Sequence, residues 1–269
     1  MQPDHYGCGL YAVSFLPHLG AVIKSYYAEK ANINKENIYS VAIMPCTSKK
    51  FEASREEFTR DGLKDIDASL TTRELAKMIK QAGIDFANLP DEEFDQPFGE
   101  ATGAGVIFGT TGGVMEAAIR TVYEILEGKP LDNLNVTAVR GLEGVKEATL
   151  KIAGKDVKVA VVHGAKNARI ILDKVKNGEH YDFIEVMACP GGCINGGGQP
   201  VVDSRTQATV DVKAKRAAAL YTEDEASTLR KSHENPNVQL MYKEFFGEPG
   251  SHKAHELLHT HYTDRSSSK

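Results

Sequence analysis

An α/β fold of two lobes, with mixed and largely parallel sheets flanked by helices and a helical carboxyl-terminal extension, is predicted by three observations. Apolar β-type runs recur along the chain, each followed by a turn and a helix-period pattern, which is the alternation buried parallel strands produce. Hydrophobic residues make up 41% of the 269, enough to fill the core of one large or two modest α/β units. Beyond Gln199-Pro200 the composition turns polar and helical.

The expected organisation is an atypical or truncated segment at residues 1–19, a two-lobed core over residues 20–200 and a wrap-around helical extension over residues 201–269. Strands are predicted at Ser40–Met44, Gly105–Phe108, Val157–Val162 and Phe183–Met187, where β-branched and aromatic residues cluster between turn signals. A helix after Thr71 has a capping-box spacing to Glu74, an apolar stripe of Leu75, Met78, Ile79 and Ala82, and a stop at Gly83. The acidic stretch Ala87–Gly105 reads as a loop that could separate the two lobes. Val114, Ala118, Val122, Ile125 and Leu126 make a second helical stripe. Asn135–Val162 holds β-type segments around Gly141, Gly144 and Gly154, with Ala153–Asp156 as a hairpin turn, so a mixed sheet is favoured over a purely parallel one. Helical patterns follow at Lys213–Tyr221 and Pro236–Phe246, ahead of the tail His255–Tyr262.

Charge and length narrow the function classes. The net charge is -5 and basic residues are interspersed with acidic ones, which gives no nucleic-acid footprint. No apolar run approaches the roughly 18 residues that would span a bilayer, and no secretory signal opens the chain, so a cytoplasmic protein is expected. Four cysteines are too few for a disulfide scaffold of this size. Three of them, Cys46, Cys189 and Cys193, sit in Gly, Pro, Ser and Thr turns after apolar runs, which points to metal or redox chemistry.

In Met187–Pro200 two thiols lie four positions apart across Pro190-Gly191-Gly192, followed by Gly196-Gly197-Gly198. So many glycines let backbone approach a bulky ligand, and their N–H groups can form an anion-binding nest around thiolates and inorganic sulfide. Spacing alone leaves open a strained turn with two buried thiols, a structural zinc knuckle and an iron-sulfur site. Met44-Pro45-Cys46-Thr47-Ser48-Lys49 places a third cysteine at the end of a strand, where sites in α/β sheets usually lie, with Lys49 beside it and Glu52 able to orient that lysine. The alternative is a solvated Lys49-Lys50 pair at a helix start. Phe108–Glu116 has a strand, glycine-turn, helix-start pattern but fits neither dinucleotide nor P-loop spacing. His255, His259 and His261 in a polar tail are more often solvated than metal-bound.

Together, Met44–Glu52, Phe108–Arg120 and Met187–Pro200, with Glu256–Tyr262 at the carboxyl end, resemble the iron-only (FeFe) hydrogenases over the chain from about Gly20 onward. The resemblance implies a hydrogenase-type core and an H-cluster: a 4Fe-4S cubane joined through a cysteine sulfur to a diiron subcluster carrying CO, cyanide and a dithiolate. By matching positions, Cys46, Cys189 and Cys193 would ligate the cubane, Cys193 bridging to the diiron unit, with Gly191 and Gly192 closing around the cofactor. Met44 and Met187 would pack around the diiron ligands, Lys49 would hydrogen-bond a cyanide, and Glu52 would support Lys49. It further implies H2 and protons as substrates, ferredoxin or a similar electron carrier, and hydrogenase maturation proteins as partners. The family also carries a Thr-Ser-Cys-Cys-Pro-Gly-Trp segment with a fourth cubane ligand and a proton-relaying cysteine. This sequence does not contain it, and Cys8 takes over no role from it. A non-catalytic iron-sulfur relative, acting as redox sensor or assembly scaffold, and an inactive fragment stand as the alternatives.

Overall fold

A computed structural model describes residues 15–260 and 263; Cys8, His261 and Tyr262 lie outside the described residues. The fold is α/β, and the chain divides into two compact units. One comprises the residues up to Pro97 together with those from Gln239 onward, and the other Phe98–Val238.

The first unit opens with α1 (Phe15–Val22), which runs through a π-turn at Ile23–Tyr27 into α2 (Ala28–Lys30). Gly20 allows α1 to lie against the backbone at Asp65, since a Cβ there would meet Asp65 O at 2.3 Å. The buried Lys24 ammonium donates to Asp67 Oδ2 at 2.7 Å and to Lys64 O at 2.6 Å. β1 (Val41–Met44) leads into α3 (Ser48–Glu52), a short hairpin of β2 (Thr59–Arg60) and β3 (Leu63–Lys64), then β4 (Ala68–Thr71) and α4 (Thr72–Gln81). β1 and β4 pair in parallel with Val41 opposite Ala68, so the intervening segment is the crossover that parallel strands require. Ala42, Ala53 and Ile66 form a small core, with Leu16 and Met44 packed on it.

The expected capping box is present. Thr71 Oγ1 accepts from Glu74 N at 3.2 Å, and Glu74 Oε2 accepts from Thr71 N at 2.8 Å. Gly83, at φ +70°, follows the helix end as its left-handed stop. The stripe on α4 is only partly covered, however: no residue of this helix is buried, and Met78 is exposed.

In the second unit, the strand expected at Gly105–Phe108 is corrected to helix: α5 (Gly103–Val106) continues into a 3₁₀ turn at Ile107–Gly109. A run this short does not distinguish strand from helix by period. The deciding features are the Thr102 cap, whose Oγ1 accepts from Gly105 N at 3.2 Å, and close packing on Asp224, whose Oδ1 lies 2.2 Å from where a Gly103 Cβ would stand. α6 (Gly113–Glu127) follows at the expected place, but its face is also corrected. Val122, Ile125 and Leu126 are exposed, and the buried side carries Met115, Glu116, Ala117, Ile119 and Arg120. Mutual ion pairing allows two charged residues to occupy the core face.

β5 (Val145–Ile152) and β6 (Lys155–His163) form an antiparallel hairpin through Ala153 and Gly154, at φ +51° and +73°, the twisted turn that suits paired strands. α7 (Ala165–Lys176) then carries the chain to β7 (Phe183–Met187), parallel to β6, so the sheet is mixed as expected. Alternate residues of β6 feed two cores: Val159 and Val161 pack with Met115, Ile119 and Val139, while Ala160 and Val162 pack with Ile171 and Tyr181. That double burial explains the unbroken apolar run. α8 (Ser204–Thr209) and α9 (Val212–Ala226) complete the helical side.

α10 (Pro236–Met241) passes through a π-turn at Tyr242–Phe246, ahead of α11 (His252–Leu258). In the first unit Phe245 packs on Tyr26 with ring centroids 5.4 Å apart, and Phe246 is buried. Among the described residues no helix is long and apolar enough to cross a membrane.

Candidate metal centre

Each unit places a methionine at the carboxyl end of a parallel strand and a cysteine two residues on. In the first unit β1 ends at Met44, and Pro45, which lacks an N–H, stops the ladder. Cys46 follows, half-buried, and α3 starts at Ser48. Lys49 and Glu52, one helical turn apart and both mostly buried, form an ion pair. The carboxylate therefore holds the ammonium beside the cysteine turn. Met44 packs on the Ala42, Ala53 and Ile66 cluster.

His18 of α1 is a residue that sequence reasoning missed. It is buried, its Nε2 has no hydrogen-bond partner among the described residues, and burial, then the charges of Arg60 and His259, lower it to about 4. Glu52 and Lys49 act on it in opposite directions.

In the second unit β7 ends at Met187, and Cys189 and Cys193 stand half-buried on either side of buried Gly191 and Gly192. Both glycines have positive φ, +85° and +99°. A Cβ on Gly192 would meet Thr111 N at 2.7 Å, Gly109 O at 2.8 Å and Thr110 C at 2.9 Å, so this loop lies flat against the turn that opens α6. Thr111 N donates to Gly191 O at 3.1 Å across that contact. The expectation that the glycine amides form a nest is corrected in part: Gly192 N donates to Cys189 O and Gly196 N to Cys193 O, each at 2.9 Å, so these two close turns. Arg216 fastens the far side by donating to Ile194 O at 3.0 Å and Pro200 O at 3.2 Å.

Two more residues that the sequence did not single out support this loop. Glu185, buried in the middle of β7, accepts from Gly112 N at 2.6 Å and Met115 N at 2.8 Å. Burial pushes its carboxyl up, against the opposing pull of those amides and of Lys146. Thr111 is buried, and its hydroxyl has no hydrogen-bond partner among the described residues. An orphaned donor on the turn that backs two thiols fits a thiolate- or sulfide-bearing group, as do the soft sulfur ligands themselves. The residues present therefore fit an iron-sulfur group at the cysteines.

Elsewhere, Glu124, His233 and Glu234 bring ligand-type atoms within 4.8 Å of one another. Lys231 Nζ lies 2.6 Å from Glu124 and 2.5 Å from Glu234, so an ammonium already occupies the space between these carboxylates and offsets part of their charge. His255 and His259 approach at 2.5 Å between Nδ1 atoms.

The family model described as "Iron only hydrogenase large subunit, C-terminal domain" matches residues 9–197, and "Iron hydrogenase small subunit" matches residues 210–265. Iron hydrogenase 1 of Clostridium pasteurianum is 50% identical over 244 residues, covering 90% of this chain and 42% of that protein. The NADP-reducing hydrogenase subunit HndD of Solidesulfovibrio fructosivorans is 49% identical over 91% of this chain and 41% of its own length. Protein NAR1 of Arabidopsis thaliana is 32% identical over 91% of this chain and 54% of its own length. The structure of a single-residue variant of [FeFe]-hydrogenase HydA1 from Chlamydomonas reinhardtii superposes with a TM-score of 0.78 at 42% identity, covering 94% of this chain and 70% of that one. The chain thus spans 41–42% of the length of the two curated hydrogenases it matches. By sequence and by fold, the chain belongs to the iron-only hydrogenase large-subunit family.

Proposed function

We propose that this chain carries the H-cluster part of an iron-only hydrogenase that interconverts H2 with protons and electrons. The observation that carries the reading is the repeated strand-end arrangement, Met44 with Cys46 after β1 and Met187 with Cys189 after β7, because ligands in α/β sheets gather at the carboxyl ends of strands. Cys46, Cys189 and Cys193 would ligate the 4Fe-4S part of the H-cluster, and Cys193 would also serve its diiron part. When bound, this cofactor, with its CO, cyanide and dithiolate ligands, supplies the redox and H2-splitting chemistry. The chain's part is to hold it and to set charge around it. Lys49 would offer its ammonium to a cyanide ligand while Glu52, already paired with it, would keep that ammonium in place; Met44 and Met187 would offer soft, polarizable side chains. Gly192 leaves no side chain between the loop and its backing turn, and Gly191 takes the positive φ that lets the loop bend between the thiols. Ferredoxin or a similar carrier exchanges the electrons, maturation proteins install the diiron unit, and the site of action is the cytoplasm.

The likeness to a cytosolic Fe-S cluster assembly factor of Xenopus tropicalis, 31% identical over 91% of this chain and 51% of its own length, supports a second reading, a non-catalytic iron-sulfur relative. Anaerobic maturation followed by infrared spectroscopy and H2 assay separates the two. The hydrogenase reading expects CO and cyanide bands, H2 turnover, and loss of iron in Cys46→Ala. Bound iron and sulfide with neither diatomic bands nor turnover would overturn it in favour of the second.

A further inference from the structure

We infer that Glu185 is a positioning residue for the cysteine loop, its carboxylate pinning the turn that opens α6 and, through that turn, fixing where the backbone between Cys189 and Cys193 stands. This rests on the reading of those cysteines as cluster ligands.

The first amides of α6 need acceptors, and the usual solution is a Ser, Thr, Asp or Asn at the cap position. Here the cap is Gly112, at φ +93°, and a Cβ on it would stand 2.0 Å from Val139 O. No side chain fits there, so the acceptor must come from another element. Glu185 supplies it from β7, using both carboxylate oxygens, one for Gly112 N and one for Met115 N. A buried carboxylate in an otherwise apolar strand is costly unless both oxygens are engaged, and here they are. Lys146 holds the same turn from the other side, donating to Thr111 O at 3.1 Å and Gly141 O at 2.8 Å.

The consequence is a closed ring. From Glu185 the chain runs along β7 through Met187 and Cys189 to Gly191, whose carbonyl accepts from Thr111 N; the next amide, Gly112 N, returns to Glu185. Gly192 lies against the same backbone at 2.7–2.9 Å from where its Cβ would be. A shift of the Glu185 carboxylate therefore displaces the cysteine loop, with no other side chain intervening.

Glu185→Gln keeps the shape but replaces one acceptor oxygen by an NH2 facing an N–H, and Glu185→Asp keeps the charge but withdraws it by one methylene. Ile171→Val, in the core of the same unit, serves as the control for general loosening. Two measurements are made on the full chain: amide exchange at Thr111, Gly112 and Gly192 before cluster loading, and the rate at which a chelator strips iron after anaerobic loading with iron and sulfide, with the electron paramagnetic resonance of the reduced protein. Both Glu185 variants are expected to speed exchange at Thr111 and Gly112 by about tenfold, roughly the net worth of one hydrogen bond to a charged group, to release iron faster and to shift the resonance. Ile171→Val is expected to do none of these. Glu185 variants that match the wild type in both measurements, or an Ile171→Val that reproduces their effects, would overturn the inference. A wild type that takes up no cluster would instead overturn the functional reading, and the exchange rates alone would then decide for or against the clamp.

Discussion

His18 shows how much a single side chain can record about its surroundings. It is buried on α1 with Nε2 unpartnered among the described residues, and burial, followed by the neighbouring Arg60 and His259, lowers it from 6.5 to about 4. The unfolded chain takes up this proton near the ordinary value while the folded chain resists it. Its contribution to stability is therefore complete above 6.5 and is lost as pH falls towards 4. Denaturant titrations are expected to show stability falling across that window, with His18→Gln flattening the slope. An unchanged slope in the variant would contradict the assignment. The sequence offers no signal for His18, because a histidine in an apolar helix reads the same whether or not a later segment buries it. Lys49 and Glu52, by contrast, are legible as neighbours, since positions three apart on a helix share a face.

The elements are joined by charge as well as by apolar contact, and α6 is the clearest case. Arg120, fully buried, donates to Glu116 at 2.7 Å, to both Asp224 oxygens at 2.8 and 2.7 Å, and to the carbonyls of Leu134 and Arg230, each at 2.9 Å. Arg140 and Arg230 add further bonds to Glu116 and Asp224. This ties α6 to α9 and to the segment before β5. Arg120→Ala leaves two carboxylates buried without their main counter-ion and is expected to cost about 3–5 kcal/mol. Chemical denaturation of the second unit measures it, and a loss below about 1 kcal/mol would mean that the network relaxes around the gap. The apolar stripe of α6 comprises Val114, Ala118, Val122, Ile125 and Leu126; the first two are half-buried and the last three are exposed. Pattern reading fails here because paired charges can be interior residues, and Asp224, which takes two of the bonds from Arg120, lies 104 positions away.

At the scale of the molecule, each compact unit carries its own core. Ala42, Ala53 and Ile66 fill one, while Val159, Val161, Ala160, Val162 and Ile171 fill the two sides of β6 in the other. Ile171→Ala opens a cavity in the second unit that should cost about 2–5 kcal/mol. Hydrogen exchange at Val159–His163 is expected to accelerate while Ala42–Met44 keeps its rates. Equal acceleration in both would show that the units open as one cooperative body.

What the sequence by itself determined is whatever depends on near neighbours. The capping box at Thr71, the hairpin turn at Ala153-Gly154, the apolar run of β6, the mixed sheet and the cysteine turns after β1 and β7 all follow from residues a few positions apart. What only the tertiary structure decided depends on distant ones. Gly105–Phe108, next to its local Thr102 cap, packs as helix against the distant Asp224; α6 turned a charged face inward because Asp224, Arg140 and Arg230 meet it there. Thr111 and Glu185 joined the cysteine loop because a glycine cap left no room for a side chain of its own. Local backbone preferences amount to only about 1 kcal/mol per residue, so wherever a buried charge or a close backbone approach is at stake, long-range packing decides.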